Sequence, residues 1–386
     1  MINRNRLAKT FTDLVRIDSV AKKEGAIAKA LCDMLKSLGA EVLVDNAGEK
    51  IGSDTGNIIA KFKGTEKGAP PLLLNAHIDT VKPGENIKVL FSDDTFRSDG
   101  TTILAADDKS AVAILLEALT ILKEQNLKHG PLEVILTVCE EIGLLGAKHL
   151  DYSMITAKHG YCIDATDVEG IVTRAPGANR LRFDVHGRDA HAGAAPEKGI
   201  NAIQIAARAI ANMDLGRIDE ETTANMGIIT GGKATNIVPA LVTVEGEARS
   251  HDVNRLEEET KKIVAAFEHE VAVYKNSNPS DDGLPKVDIS VELDFSHLNV
   301  PEEHLVVQLA REAADRRGYQ LSCKTSGGGS DANIFAGNGI VTGVLGTGMR
   351  DMHTVRESVR LSDMVQSAEL ILEIVQLHAI NNKDKG

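Results

Sequence analysis

Three apolar runs of strand length each stop at ionisable residues, and this coincidence constrains the chain more than any other feature. The run Leu72 to Leu74 leads into Asn75-Ala76-His77-Ile78-Asp79, the run from Leu132 to Cys139 stops at Glu140-Glu141, and Gly160-Tyr161-Cys162-Ile163 stops at Asp164. Buried strands of an open α/β sheet read as nearly continuous apolar segments, and ligands bind beyond their carboxyl ends. Carboxylates at the end of a buried strand are poor packing and poor electrostatics unless positive charge is held beside them. The pattern therefore predicts an α/β domain with a charged site along one edge of its sheet.

The surrounding periodicity agrees. Helical patterns cover about 4–17, 22–39 and 108–125, and strand signals fall near 41–45, 57–63, 72–76, 131–138 and 159–163. From about residue 177 the pattern changes. Leu181, Phe183 and Val185 alternate with polar residues, followed by a helix at 199–213, strands at 223–230 and 240–249, a helix at 253–274 and a strand at 287–295. That β-α-β-β-α-β order is the one found in ferredoxin-like folds. The α/β pattern resumes with a helix at 301–317, a strand at 319–324, a Gly-rich loop and a terminal helix from 362. The expected architecture is a mixed, mostly parallel sheet with helices on both faces. This domain is made of residues 1–176 and 296–386, and an α+β domain of 177–295 is inserted into it. The segment from Lys275 to Leu284 reads as a surface loop, and Asn381 to Gly386 as a frayed end.

Composition narrows the partners. With 386 residues, 42% of them hydrophobic and 26% charged, there is material for two soluble domains of ordinary size. The formal net charge of −13 and the lack of any Lys/Arg run argue against nucleic acid and anionic membrane surfaces. Residues 1–18 carry an amphipathic helical pattern without the apolar centre of a signal peptide, and the apolar stretch from Ala111 to Leu119, broken by Glu117, is too short to span a bilayer. A cytoplasmic protein is expected. Cys32, Cys139, Cys162 and Cys323 form no C-x-x-C pair, which speaks against a disulfide framework and a thiolate zinc site.

Other residue types supply the chemistry. Alternate strand residues share a face, so Asp79 is placed to support His77, as a carboxylate supports a metal-ligating imidazole. Asp107, just before the apolar helix of Val112, Leu115 and Leu119, reads either as a helix cap or as a carboxylate aimed outward between two cations. At the turn after Cys139, one glutamate can ligate while the other addresses water. Asp164 closes a third strand, and His353 lies in a loop before the last helix. Together, two histidines, one bridging carboxylate and two terminal carboxylates make a nitrogen and oxygen ligand set for two divalent ions, suited to zinc, manganese or cobalt. A free glutamate beside such a pair supplies a general base.

The ordered motifs NAHIDTV, AADDKS, CEEIGLLGA, IDA and MHTVRE resemble those of the co-catalytic di-zinc exopeptidases, the family of aminoacylase and glutamate carboxypeptidase, and most closely its peptidase T-like (tripeptide aminopeptidase) branch. The resemblance runs through nearly the whole chain. It implies that His77, Asp107 and Asp164 hold one metal and that Asp107, Glu141 and His353 hold the other. It further implies that Asp79 orients His77, that Glu140 is the general base, and that the Asp107–Asp108 peptide is cis. The inserted domain matches the family's lid and dimerisation domain, which implies a homodimer. Within it, His191 matches an oxyanion donor, and Asn236 and Arg249 match substrate contacts. Gly328 and Gly329, in the loop from Ser326 to Asp331, offer backbone N–H groups that could cradle a substrate. Asp107-Asp108-Lys109 differs from the Asp-Met-Lys of many carboxypeptidase and deacylase members, which favours an aminopeptidase acting on short peptides. The setting of His353 departs from that of peptidase T itself, so strict tripeptide specificity is not implied. The rival readings are a carboxypeptidase, an N-acyl amino acid deacylase, and a catalytically idle peptide-binding relative.

Overall fold

The computed structural model describes residues 1–66, 68–278 and 283–381. Residues 279–282 of the expected surface loop and residues 382–386 of the expected frayed end lie outside the described residues. The chain divides into two compact units, one formed by Met1–Arg174 with the chain from Asn299 onward, the other by Ala175–Leu298.

The larger unit is organised by a nine-stranded mixed sheet whose centre runs, in spatial order, Ile58–Phe62, Leu132–Thr137, Leu72–His77, His159–Ala165 and Val341–Gly346. Leu72–His77 and Leu132–Thr137 are buried at every position, as strands covered on both faces must be. Register sets the site. Leu72–His77 runs parallel to Leu132–Thr137 with His77 opposite Thr137, and parallel to the third strand with Asn75 opposite Cys162. Asp79 and Glu140-Glu141, beyond the first two strands, and Asp164, near the end of the third, therefore emerge at one end of the sheet.

The helix Ala106–Glu124 is buried along most of its length and packs against Arg4–Val15 and Leu361–Asn381. Arg4–Val15 starts where the Asn3 side chain accepts the Arg6 N–H, and it buries Leu7, Phe11, Leu14 and Val15, the predicted apolar stripe. Three features went beyond the expected pattern. The short strands Val89–Ser92, Thr95–Ser98 and Ser358–Arg360 form a separate small sheet, Gly170–Ala175 joins the main sheet, and Val341–Gly346 is a central strand. The last is hidden by its glycines, which packing requires. A Cβ on Gly346 would lie 2.2 Å from the Asp167 carbonyl oxygen.

The smaller unit is a five-stranded antiparallel sheet in the order Gly216–Arg217, Thr222–Gly231, Leu241–Ser250, Gly177–His186, Lys286–Phe295. Apart from the two-residue edge strand, this is the ferredoxin-like order. The helices Ala202–Ala211 and Val253–Ser277 cover it, and the Phe183 and Phe267 rings stack at 3.9 Å in a core with Leu181, Val185 and Val244.

Candidate metal centre

The three strand ends and two loops deliver their ionisable side chains to one place in the larger unit. His77 Nε2 lies 2.9 Å from Asp107 Oδ1, and His353 Nε2 lies 3.1 Å from Asp107 Oδ2 and 3.0 Å from Glu141. The two carboxylate oxygens of Asp107 are thus divided between the two imidazoles. Two groups of three can each hold an ion, His77 with Asp107 and Asp164, and Asp107 with Glu141 and His353. Within each group the ligand atoms lie within 4.8 Å of one another. Asp107 belongs to both.

Local structure explains the aim of each group. Cys139 takes a positive φ of 52° immediately after the buried strand, so the chain turns and Glu140 and Glu141 leave it in different directions. The turn is fixed by carboxylates beneath it. Asp79 accepts the Glu140 N–H at 2.9 Å and the Glu141 N–H at 3.2 Å, and buried Glu24 accepts the Cys139 N–H at 3.0 Å. His77 Nδ1 lies 3.1 Å from the backbone oxygen of Asp79 and 3.4 Å from its carboxylate. His77 Nδ1 thus faces the Asp79 carbonyl, while the Asp79 carboxylate mainly holds the glutamates. Ala105 is also left-handed, Asp107 and Asp108 have non-helical backbone angles at the head of their helix, and the peptide between them is cis.

The electrostatics test whether divalent ions fit. Burial pushes the carboxyls of Glu140 and Asp164 well above the usual range, with further raising from neighbouring carboxylates. Burial does the same to Asp108, whose Oδ1 is buried without a hydrogen bond, as is Oδ1 of Asp331. Burial opposes charge on Asp107, but hydrogen bonds from His353 and His77 hold it below the usual carboxylate range. The adjacent cation does not offset this crowding. Burial lowers Lys109 to about 7, and its Nζ donates to the Ile17 carbonyl at 2.6 Å. A dense set of desolvated carboxylates with two imidazoles and no thiolate is what a pair of hard or borderline cations stabilises, and the residues fit the group.

The remaining predicted residues are placed as follows. His191 lies in the smaller unit, where Ala192 donates to the Asn236 carbonyl at 2.9 Å and residue 191 bridges to Ile237. His191 Nδ1 accepts the N–H groups of Gly193 and Ala194, each at 3.1 Å, which leaves the proton on its exposed Nε2. Arg249 pairs with Glu247 at 2.9 Å and lies over the Phe295 ring. In the Gly-rich loop, the Gly328 N–H donates to Ser326 Oγ and the Ser330 N–H to Asn333 Oδ1, so part of the proposed cradle is used internally, Gly329 lying between them. Residue patterning assigned no role to Glu24, Asp331 or Glu357. Asp331 sits in the quoted Ser326-to-Asp331 loop and bonds Thr137, and Glu357 ends the MHTVRE motif; a carboxylate inside a motif with no assigned role was the available signal.

The chain is a metal-dependent peptide hydrolase of the exopeptidase type. It belongs to peptidase family M20/M25/M40, whose family model matches residues 73–377, and within it to the peptidase T-like branch. Its fold is similar to that of aminopeptidase PepT from Bacillus cereus ATCC 10987, with a TM-score of 0.87 and 41% identity over 98% of this chain and 99% of that one. It is similar also to a tripeptidase from Staphylococcus aureus subsp. aureus Mu50, with a TM-score of 0.89 and 38% identity over 98% of this chain and 100% of that one. In sequence it is 42% identical to the Bacillus subtilis strain 168 protein YqjE over 97% of this chain and 99% of that protein.

Proposed function

We propose that the protein is an aminopeptidase that releases the amino-terminal residue of di- and tripeptides, using two divalent ions, zinc first and manganese or cobalt as alternatives. His77, Asp107 and Asp164 would hold one ion, and Asp107, Glu141 and His353 the other. Glu140, which belongs to neither group but interacts electrostatically with His77 and Asp164 of one and Glu141 of the other, carries this reading. Bound divalent ions supply Lewis acidity, which acidifies water and polarises a peptide carbonyl. Glu140 takes the proton of the attacking water as the C–O bond forms and delivers it to the leaving amine nitrogen as the C–N bond breaks. A carboxylate that ligates neither ion is free to carry that proton between the two steps. Asp79 keeps Glu140 and Glu141 divided between their tasks through its bonds to their N–H groups.

His191 Nε2–H is the proposed donor to the developing oxyanion, and Asn236, Arg249, Gly328 and Gly329 are proposed substrate contacts. The similarity to an aminopeptidase and a tripeptidase at 41% and 38% identity supports the short-peptide, amino-end reading. A homodimer through the inserted unit is proposed with it; that unit exposes Ile228 and Ile229 on its strand Thr222–Gly231. A cytoplasmic location is proposed on the four free cysteines. Among the described residues no helix is long and apolar enough to cross a membrane.

Two measurements test the proposal. Glu140→Gln should lower kcat by roughly 10²–10⁴-fold while metal content stays at two ions per chain. A tripeptide should be cleaved and its N-acetylated form left intact. Equal cleavage of both would move the protein to the carboxypeptidase or deacylase class, and full activity of the glutamine variant would remove Glu140 from the reaction.

A further inference from the structure

We propose that Glu357 is a positioning residue whose carboxylate holds the Leu104-to-Asp107 turn, and through it the shared ligand Asp107, in its working orientation. The inference rests on the two-metal reading above. Both oxygens of Glu357 are committed to backbone N–H groups. Oε2 accepts from Leu104 at 2.7 Å and from Ala105 at 2.8 Å, and Oε1 accepts from Asp107 at 2.8 Å. The residue is 1% exposed. Three N–H groups converging on one carboxylate form a backbone nest of the kind that binds anions, here filled by a side chain of the same chain some 250 residues away.

The turn needs such a support. Asp107 stands at the head of a helix but has φ −80° and ψ 102°, and Asp108 is also non-helical, so ordinary helix hydrogen bonding does not fix the direction of the Asp107 side chain. Ala105, with φ 63°, lies in the left-handed region without being glycine, a conformation that persists only when its surroundings impose it. Glu357 is also only four residues beyond His353, and its own N–H donates to the Thr354 carbonyl at 3.1 Å. One side chain therefore ties the loop that carries His353 to the turn that carries Asp107, the two residues whose nitrogen and oxygen stand 3.1 Å apart. Glu357 does not itself complete either ligand group.

The test compares wild-type protein with E357Q, which keeps the side-chain volume but puts an amide NH₂ against N–H donors. Metal-free protein is titrated with cobalt(II) against a chromophoric chelator, and the visible d–d spectrum is recorded. The expected result is two ions per wild-type chain, with affinity in E357Q weakened by roughly 10–100-fold and an altered cobalt spectrum, in line with loss of a group that orients a ligand. Uptake of fewer than two ions by wild type overturns the metal-site reading and this inference with it. Two ions in wild type, with E357Q matching it in affinity and spectrum, overturns the inference alone. A second measurement needs no variant. In metal-free wild-type protein the amides of Leu104, Ala105 and Asp107 should be protected from hydrogen exchange, and rapid exchange there overturns the clamp.

Discussion

Asp79 illustrates how much a single residue can carry. The i, i+2 spacing from His77 suggests Asp79 as a partner of that candidate ligand, because alternate strand positions share a face. Its bonds to the N–H groups of Glu140 and Glu141 cross 61 and 62 residues of sequence, and no local pattern contains them. The same limit hid Glu24 and Glu357, whose partners lie 115 and about 250 residues away. Ligands announce themselves by residue type at a strand end; the groups that aim them are ordinary carboxylates until the fold brings backbone donors to them. Asp79→Asn should therefore weaken more than one function. One acceptor oxygen becomes a donor facing an N–H, so the turn holding Glu140 and the candidate ligand Glu141 loosens, while the Asp79 carbonyl that faces His77 stays in place. Metal affinity should fall by about tenfold or more, and kcat measured at saturating metal should also fall, since Glu140 is displaced. A variant that loses metal affinity but recovers wild-type kcat when saturated would show that Asp79 does not place Glu140 and acts through Glu141 alone.

At the scale of elements, what was legible followed from burial on both faces. Leu72–His77 and Leu132–Thr137 are buried at every position and two-thirds apolar, and their parallel register brings the site together. Val341–Gly346 was missed because close packing selected glycine where strand propensity expects a β-branched residue. Its Gly343 leaves room for Ile171, whose Cδ1 would lie 2.5 Å from an added Cβ. Gly160 makes the same point more severely. A Cβ there would lie 2.1 Å from the Leu73 carbonyl oxygen, a backbone atom of the neighbouring strand that cannot swing aside. Gly160→Ala should then cost roughly 1–3 kcal/mol, as overpacking of a well-packed interior does. Urea denaturation monitored by circular dichroism measures it, and a midpoint within error of wild type would show that the strands separate freely at this position.

For the whole molecule, the sequence signal was a change of period near residue 177, from buried runs to alternation, which reflects a sheet covered by helices on one face only. Each unit has its own apolar core. The larger one is built around residues such as Leu74, Leu115 and Ile371, and the smaller around Phe183, Val244 and Phe267. All residues of both ligand groups belong to the larger unit. A ligand stabilises only the cooperative unit whose native state binds it, by about 2.7 kcal/mol when its free concentration is a hundred times the dissociation constant. Calorimetry of the full chain should therefore resolve two transitions. Removing metal with a chelator should lower the one belonging to the larger unit and leave the other in place, and restoring zinc should return it. The isolated segment 175–298 serves to assign the metal-independent transition, because it should melt at the same temperature with and without chelator. A single transition that moves as a whole on chelation would mean that the two cores unfold together and that the inserted unit draws its stability from the metal centre as well.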